Sequence, residues 1–342
     1  MFEPNYRISP FLLERIKEIT LLVHMLNQRL VSDVVLVQMQ AEARAVSTYA
    51  STSIEGNPLP LTQVKRLLKS QPKQLRDSER EVVNYNQVLT WLNADQDKVL
   101  TLDLLLKIHA GVVKELLPAH QVGRLRQEPV VVHEPRSGDV VYLPPDHGDV
   151  PQLVNDLLAF VQANHGVLDP ILLAGLFHKQ LVVIHPFVDG NGRTTRLATK
   201  LLLAGLGLNT FNLFSFENYY NQNVSRYFQT VGLFGNYYDL VDSLDFTPWL
   251  EYFAGGILDE LLRVQKQIEN NLAAPDTTLK PYHEAILAHI DANGFITDKE
   301  YARITERAKA TRALDFKFLL ELGVIERKGR GPGVFYQRVA RS

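Results

Sequence analysis

The chain contains no cysteine. That excludes a disulfide framework, thiol catalysis and any cysteine-built zinc site. Long apolar runs are also missing: none reaches the ~20 residues that span a bilayer. The opening MFEPNYRISP has no charged region followed by an apolar one, as a secretory leader would. The expectation is a cytoplasmic chain with no membrane partner. Nor is there an excess of one charge, since 36 Lys and Arg against 38 Asp and Glu give a net −2. This argues against a general binder of nucleic acid or membrane surfaces. Repeats of solenoid period and low-complexity segments are absent too. What remains is 342 residues, 46% hydrophobic and 22% charged. That is an ordinary globular composition, with chain enough for two or three domains.

One stretch organises the rest. Residues 171–184 (ILLAGLFHKQLVVI) are apolar enough for a buried helix. Pro186 biases His185 away from the helical region, so the helix should stop there. Asp189-Gly190-Asn191-Gly192 is a turn signal, and Arg193 opens a second helical run. A glycine-rich loop feeding a helix leaves backbone N–H groups unpaired, and these bind phosphate. Arg193 and Arg196 share a helix face and offer planar forks for phosphate oxygens. Asp189 is a hard oxygen ligand of the kind Mg2+ takes beside phosphates. His185 titrates near neutrality and can accept a proton from a hydroxyl. A base, a metal ligand, an anion cradle and two arginines within twelve residues point to phosphoryl or nucleotidyl transfer. An ordinary loop with a satisfied histidine and two solvated arginines is the weaker alternative.

The string from His185 to Arg196, HPFVDGNGRTTR, resembles the Fic family signature HxFx(D/E)GNGRxxR at every defined position. The resemblance implies a small helical core that moves AMP from ATP onto a protein hydroxyl. It implies His185 as general base and Asp189 as the Mg2+ ligand. Gly190, Asn191 and Gly192 would form the phosphate loop, Arg193 and Arg196 would hold the outer phosphates, and Phe187 would anchor the loop. Upstream, Gly56-Asn57-Pro58 is a helix stop, and Ser51 and Glu55 lie one turn apart on one face. A carboxylate at a helix C-terminus is unfavourable and calls for a cation elsewhere; the bland alternative is a surface glutamate beside a cap. The same string matches the family's inhibitory motif (S/T)xxxE(G/N) at Ser51, Glu55 and Gly56. In relatives that glutamate pairs with the second arginine, here Arg196, and occupies the place of the ATP γ-phosphate. The implied enzyme restrains itself.

Val130 to Val132 and Val140 to Leu143 are β-branched runs about a turn-rich EPRSGD, which predicts a hairpin. The family has such a hairpin, the flap, which pairs with the segment bearing the target hydroxyl. The resemblance therefore implies target docking near Tyr142, with a plain structural hairpin as the alternative. Residues 215–231 read as one helix rich in Tyr and Asn. Spacing alone says core, whereas the resemblance aligns Asn223 and Tyr227 with adenine contacts. Tyr227-Phe228 departs from the family's two adjacent tyrosines. His109 is expected as a packed or rim histidine and His178 as a core histidine. Residues 247–272 predict a long helix capped near Thr247, with Pro248 in its first turn. Residues 273–279 read as a linker and 280–342 as a winged helix. There Arg327, Lys328, Arg330, Arg338 and Arg341 stand in a span with no acidic residue. Such a unit admits DNA or protein as its partner, and protein is preferred.

The expected fold is mainly α: an N-terminal helical region with the inhibitory motif over 1–100, a Fic-type core with flap over 101–272, and a winged helix over 280–342. The expected function is AMP transfer from ATP and Mg2+ to a Ser, Thr or Tyr hydroxyl of a target protein, the chain itself included, restrained by Glu55. A homodimer is left open. Four rivals remain. One is a kinase, as in Doc toxins, which carry Lys where this loop has Gly192. The others are transfer of another group such as UMP or phosphocholine, removal of AMP with Glu55 orienting a water, and a nucleotide-sensing DNA-binding regulator.

Overall fold

A computed structural model of the chain describes residues 2–29, 31, 33–94, 98–133, 138–205, 207–208, 210–272 and 279–339. The hairpin turn at 134–137, the linker at 273–278 and Arg341 lie outside the described residues. The chain opens with α1 (Pro10–Asn27), started by the Ser9 hydroxyl, which accepts from the Leu12 N–H, and by Pro10 at the first position. Then come α2 (Asp33–Ile54), α3 (Leu61–Lys69), α4 (Asp77–Asn93) and α5 (Leu102–Val112). A hairpin follows, β1 (Val132–His133) antiparallel to β2 (Val140–Leu143). α6 (Val150–Asn164), α7 (Pro170–Ile184) and α8 (Asn191–Gly205) precede two short helices, α9 (Phe216–Gln222) and α10 (Val224–Val231). β3 (Gly235–Asn236), α11 (Tyr237–Leu240) and α12 (Thr247–Leu272) come next. The remainder is α13 (Pro281–Asn293), α14 (Asp298–Ile304), α15 (Lys309–Glu321), β4 (Ile325–Lys328) and β5 (Phe335–Arg338). The fold is mainly helical, with few short strands, as the sequence implies.

The chain divides into two compact units, not the three consecutive domains that the sequence suggests. One holds Met1–Gln28 and Ala43–Val264, the other Arg29–Glu42 and Gln265–Ser342. The N-terminal helices therefore do not form a domain of their own. Each has one apolar stripe, which must be buried against another element. α4 buries its stripe (Tyr85, Val88, Leu89, Leu92) while packing on both α5 and α8, so the core is shared. The second unit has its own core of Ile286, Ile290, Tyr301, Phe316 and Leu319. Over its last part α13, α14 and α15 are followed by the antiparallel β4–β5 pair.

In the first unit α7 is the central element. It is apolar nearly all round, and nearly all of Ile171 to Ile184 is buried. Gly175 lets α12 close on it: a Cβ there would lie 2.7 Å from Leu250 Cδ2, and Trp249 Nε1 donates to the Gly175 carbonyl at 2.7 Å. α7 and α8 flank the loop that carries the motif. The expected single helix over 215–231 is broken at Asn223 (φ −143°, ψ 72°). Its side-chain oxygen accepts from the Arg226 N–H at 3.1 Å, so the cap preference of Asn wins over continuation.

Candidate active site

α7 begins at Asp169, whose carboxylate accepts from the Ile171 N–H at 2.8 Å, and ends at His185. His185 is left-handed (φ 51°, ψ 60°), not extended as Pro186 favours. Both conformations avoid the helical region that a following proline penalises. The left-handed one wins because it lets the His185 N–H still reach the Leu181 carbonyl at 3.1 Å. A non-glycine residue in that region needs support, and buried Arg126 supplies it. Arg126 Nε donates to the His185 carbonyl at 2.8 Å, its N–H to the Pro186 carbonyl at 2.9 Å, and its Nη atoms to the Glu128 and Pro145 carbonyls. The half-buried His185 ring places Nδ1 3.3 Å from the Val182 carbonyl. Nδ1 therefore carries the proton, and Nε2 keeps a free lone pair. Burial pushes the His185 pKa down to about 4, against the pull of the Val182 carbonyl and of Glu55. The imidazole is neutral at physiological pH.

The loop floor is built around Phe187, which is fully buried and stacks on His109 with centroids 3.8 Å apart and planes 3° off parallel. His109 Nδ1 accepts from the Gly123 N–H at 3.1 Å, so Nε2 carries the proton and donates to the Asp189 carbonyl, also at 3.1 Å. Burial pushes this histidine down to about 4 as well, which keeps the tautomer neutral. It is buried, as the sequence implies, and it also supports the loop. Asn191 turns its amide onto Phe187: Oδ1 accepts from the N–H at 2.9 Å and Nδ2 donates to the carbonyl at 2.8 Å. Its side chain thus closes the loop, which leaves the backbone N–H as its contribution to an anion hole. Gly190 has φ 78°, and a Cβ there would lie 2.7 Å from Val113 Cγ1.

Both arginines sit within this frame, and both are held. Arg196 is fully buried. Its Nε donates to Ser51 Oγ at 2.8 Å, and Nη2 to the Ser51 carbonyl at 2.8 Å and Glu55 Oε1 at 2.7 Å. Burial opposes the charge of Arg196, but Glu55 beside it holds the guanidinium pKa above its ordinary value. The same Glu55 oxygen lies over Gly192, where a Cβ would collide with it. Gly56 takes φ 90° just after it, ending α2. Arg193 donates to both Asp189 oxygens at 3.1 and 3.0 Å and pairs with Glu81 at 2.6 Å. Asp189 turns its carboxylate outward, the side chain being 54% exposed. Among the described residues no three His, Asp or Glu gather as metal ligands. A solvent-facing carboxylate completed by phosphates and water is the usual set for Mg2+ on a nucleotide, and Asp189 fits it once Mg2+ shares its oxygens with Arg193.

Three expected contacts are corrected. Tyr227 is buried and stacks on Tyr220 at 4.7 Å, so no base can lie against its ring. Its hydroxyl lies 3.1 Å from His178 Nε2 and 3.5 Å from Arg196 Nη1. The Thr199 hydroxyl donates to the Thr195 carbonyl at 2.8 Å and accepts from His178 Nδ1 at 3.0 Å. His178 Nε2 therefore accepts from Tyr227, and the pair braces Arg196 from behind. Asn223 is an exposed helix cap whose side-chain oxygen is engaged by the Arg226 N–H. Tyr142 is buried, and its hydroxyl donates to the Val183 carbonyl at 2.9 Å. β2 is also closed at this point, because Tyr142 and Leu143 pair in parallel with Gly235 and Asn236 of β3. With the order β1-β2-β3, the open edge on the hairpin side belongs to β1.

Residues 99–203 match the Fic/DOC family. The protein adenylyltransferase Fic of Drosophila erecta is 31% identical over 182 residues, covering 52% of this chain and 35% of that protein. The one from Aedes aegypti is 31% identical over 183 residues with the same shares. The match thus spans about a third of the length of these curated relatives. A Fic family protein from Desulfovibrio desulfuricans G20 shares the fold over 100% of this chain and 99% of its own, with a TM-score of 0.68 at 21% identity. Fic-1 from C. elegans aligns over 77% of this chain and 74% of that one, with a TM-score of 0.61 at 22% identity. Among the described residues no helix is long and apolar enough to cross a membrane.

The sequence reading passes over Arg126 and Glu81, and takes His109 and Asn57 only as a packed histidine and part of a helix stop. Arg126 carries no pattern that marks it. Glu81 does: it falls in step with Tyr85, Val88 and Leu92 on the apolar stripe of α4, where a lone carboxylate needs a buried partner.

Proposed function

We propose that this chain is a protein AMP transferase that Glu55 holds in check. The observation that carries this reading is the placement of Glu55 Oε1 over Gly192 and 2.7 Å from Arg196 Nη2, within the loop-and-helix cradle that follows His185. A carboxylate there occupies ground that a phosphate oxygen would take, between a helix N-terminus and an arginine fork. Displacing Glu55 frees both.

With ATP bound, the backbone N–H groups at the start of α8 face the phosphates, and Arg193 and Arg196 neutralise the outer ones. Asp189 would hold Mg2+, which would supply positive charge against the phosphates. His185 Nε2 takes the proton of a target Ser, Thr or Tyr hydroxyl. The hydroxyl oxygen forms its bond to the α-phosphorus as the bond to the bridging oxygen breaks. Pyrophosphate leaves with the electron pair, and His185 returns its proton to solvent. The target segment is read as an added strand on the open edge of β1. In the second unit Lys328 pairs with Glu326 at 2.8 Å and Arg338 with Asp291 at 2.7 Å. This lowers the charge open to phosphates and supports a protein partner over DNA.

The test is incubation of wild type, Glu55→Gly and His185→Ala with Mg2+ and ATP labelled at the α- or γ-phosphate, in cell lysate. Label from the α-phosphate alone, strong in Glu55→Gly and absent in His185→Ala, is the expected result. Label from the γ-phosphate would mean a kinase. Equal label in wild type and Glu55→Gly would remove the inhibitory role.

A further inference from the structure

Arg193 is gripped from two sides, and the chemistry above uses only one of them. Nη2 lies 3.1 and 3.0 Å from the Asp189 oxygens, while Nη1 lies 2.6 Å from Glu81 Oε1. The two carboxylates differ in setting. The Asp189 side chain is 54% exposed, that of Glu81 only 15%. Glu81 is itself held in place. Asn57 Nδ2 donates to Glu81 Oε2 at 2.6 Å and to the Ser78 carbonyl at 2.8 Å, and Asn57 Oδ1 accepts from the Leu59 N–H at 3.1 Å. Asn57 follows Glu55 by two residues. One short segment therefore touches both arginines: Ser51 and Glu55 bind Arg196, and Asn57 reaches Arg193 through Glu81.

An arginine beside a single carboxylate closes on it as a two-pronged pair, which uses up the oxygens a metal would take. Here only Nη2 faces Asp189, shared between its two oxygens, while Nη1 is turned to Glu81, so Mg2+ has one nitrogen to displace rather than a two-pronged pair. We propose that Glu81 is a positioning residue for metal-bound ATP: by competing for Arg193 it keeps Asp189 available to Mg2+ and the guanidinium on the phosphate cradle, with Asn57 tying that grip to the inhibitory segment. The inference rests on the nucleotide reading above and adds a residue to it. It also gives the inhibitory segment a hold on the metal ligand as well as on the outer phosphates.

The experiment is calorimetric titration of ATP into Glu55→Gly and Glu55→Gly/Glu81→Gln, each with Mg2+ and with a chelator in its place. Mg2+ strengthens ATP binding in the first protein. Glu81→Gln is expected to cut that gain about tenfold, while metal-free binding changes less than about threefold. Equal losses with and without metal would reduce Glu81 to a general structural role, and no loss would remove the role altogether; either overturns the proposal. Asn57→Ala in the same background leaves Arg193 and Glu81 intact and is expected to cut the Mg2+ gain by about threefold. It keeps the question open to test if the Glu81 variant folds poorly, and an unchanged Mg2+ gain there counts against the proposal. Failure of the AMP-transfer reading looks different: Mg2+-dependent ATP binding persists while no α-label reaches protein.

Discussion

A histidine that takes a proton at neutral pH has to be uncharged and to keep one nitrogen free. Both conditions at His185 come from its surroundings, burial and the Val182 carbonyl. With a pKa pushed down to about 4, the base is lost only as pH falls through that value, not through the ordinary ~6.5 of histidine. Removing Glu55, which pulls this pKa upward, moves the limb no higher. The expected outcome is a flat transfer rate in Glu55→Gly from about pH 8 to 5.5, falling below pH 5. An acid limb near 6.5 in the kcat profile would contradict the buried, neutral His185. Arg126 supports the same residue from the backbone side. Arg126→Lys keeps the charge but loses the fork that spans three carbonyls. Transfer is expected to drop about 100-fold, mostly in kcat, because the base is misplaced while the phosphate cradle is untouched.

In the proposed mechanism control rests on the last turn of α2, and targeting on the hairpin. Ser51 gives Arg196 two of its acceptors, the hydroxyl and the carbonyl. Ser51→Ala removes one and leaves a buried N–H without it, which costs the inhibited arrangement about 1–3 kcal/mol. Basal α-label transfer is expected to rise, by less than in Glu55→Gly. At the hairpin, β2 is already paired on both sides at Tyr142, with β1 and with β3. A strand added on the hairpin side must therefore use the outer edge of β1. Val132→Pro is expected to slow modification of an added target at least about tenfold, since a proline cannot donate to a ladder, with ATP affinity as in the parent. A matching loss in Tyr142→Phe but none in Val132→Pro would return docking to β2.

Across the whole molecule, buried histidines link folding to pH. His109 is fully buried, and its pKa falls from 6.5 to about 4 on folding. The unfolded chain then binds more protons below pH 6.5, so stability is full above that value and declines as pH falls toward 4. Two and a half units correspond to about 3 kcal/mol from this residue. Glu81 and Glu260, whose pKa values burial raises, act in the opposite direction. The clean measurement is therefore a difference: denaturant midpoints of wild type and His109→Phe at pH 7 and 4.5. The variant keeps a ring against Phe187 and is expected to lose less stability on acidification.

The residues whose chemistry is local were open to reading from the chain itself. His185, Asp189, Gly190, Asn191, Gly192, Arg193 and Arg196 fall in one short run, and Ser51, Glu55 and Gly56 in another. Turn sterics, helix spacing and side-chain chemistry act over a few residues, and so does the string that resembles the Fic signature. The helices of the core followed from apolar periodicity for the same reason. Packing set the rest. Which carboxylate meets Arg193, which carbonyls Arg126 spans and which strand closes β2 all depend on segments far apart in the chain. The contacts that the resemblance implies for Tyr142 and Tyr227 meet burial instead, because a sheet neighbour and an aromatic cluster cover them. A buried charge or hydroxyl must find a partner wherever the helices bring one, and no spacing rule along the chain encodes where that is.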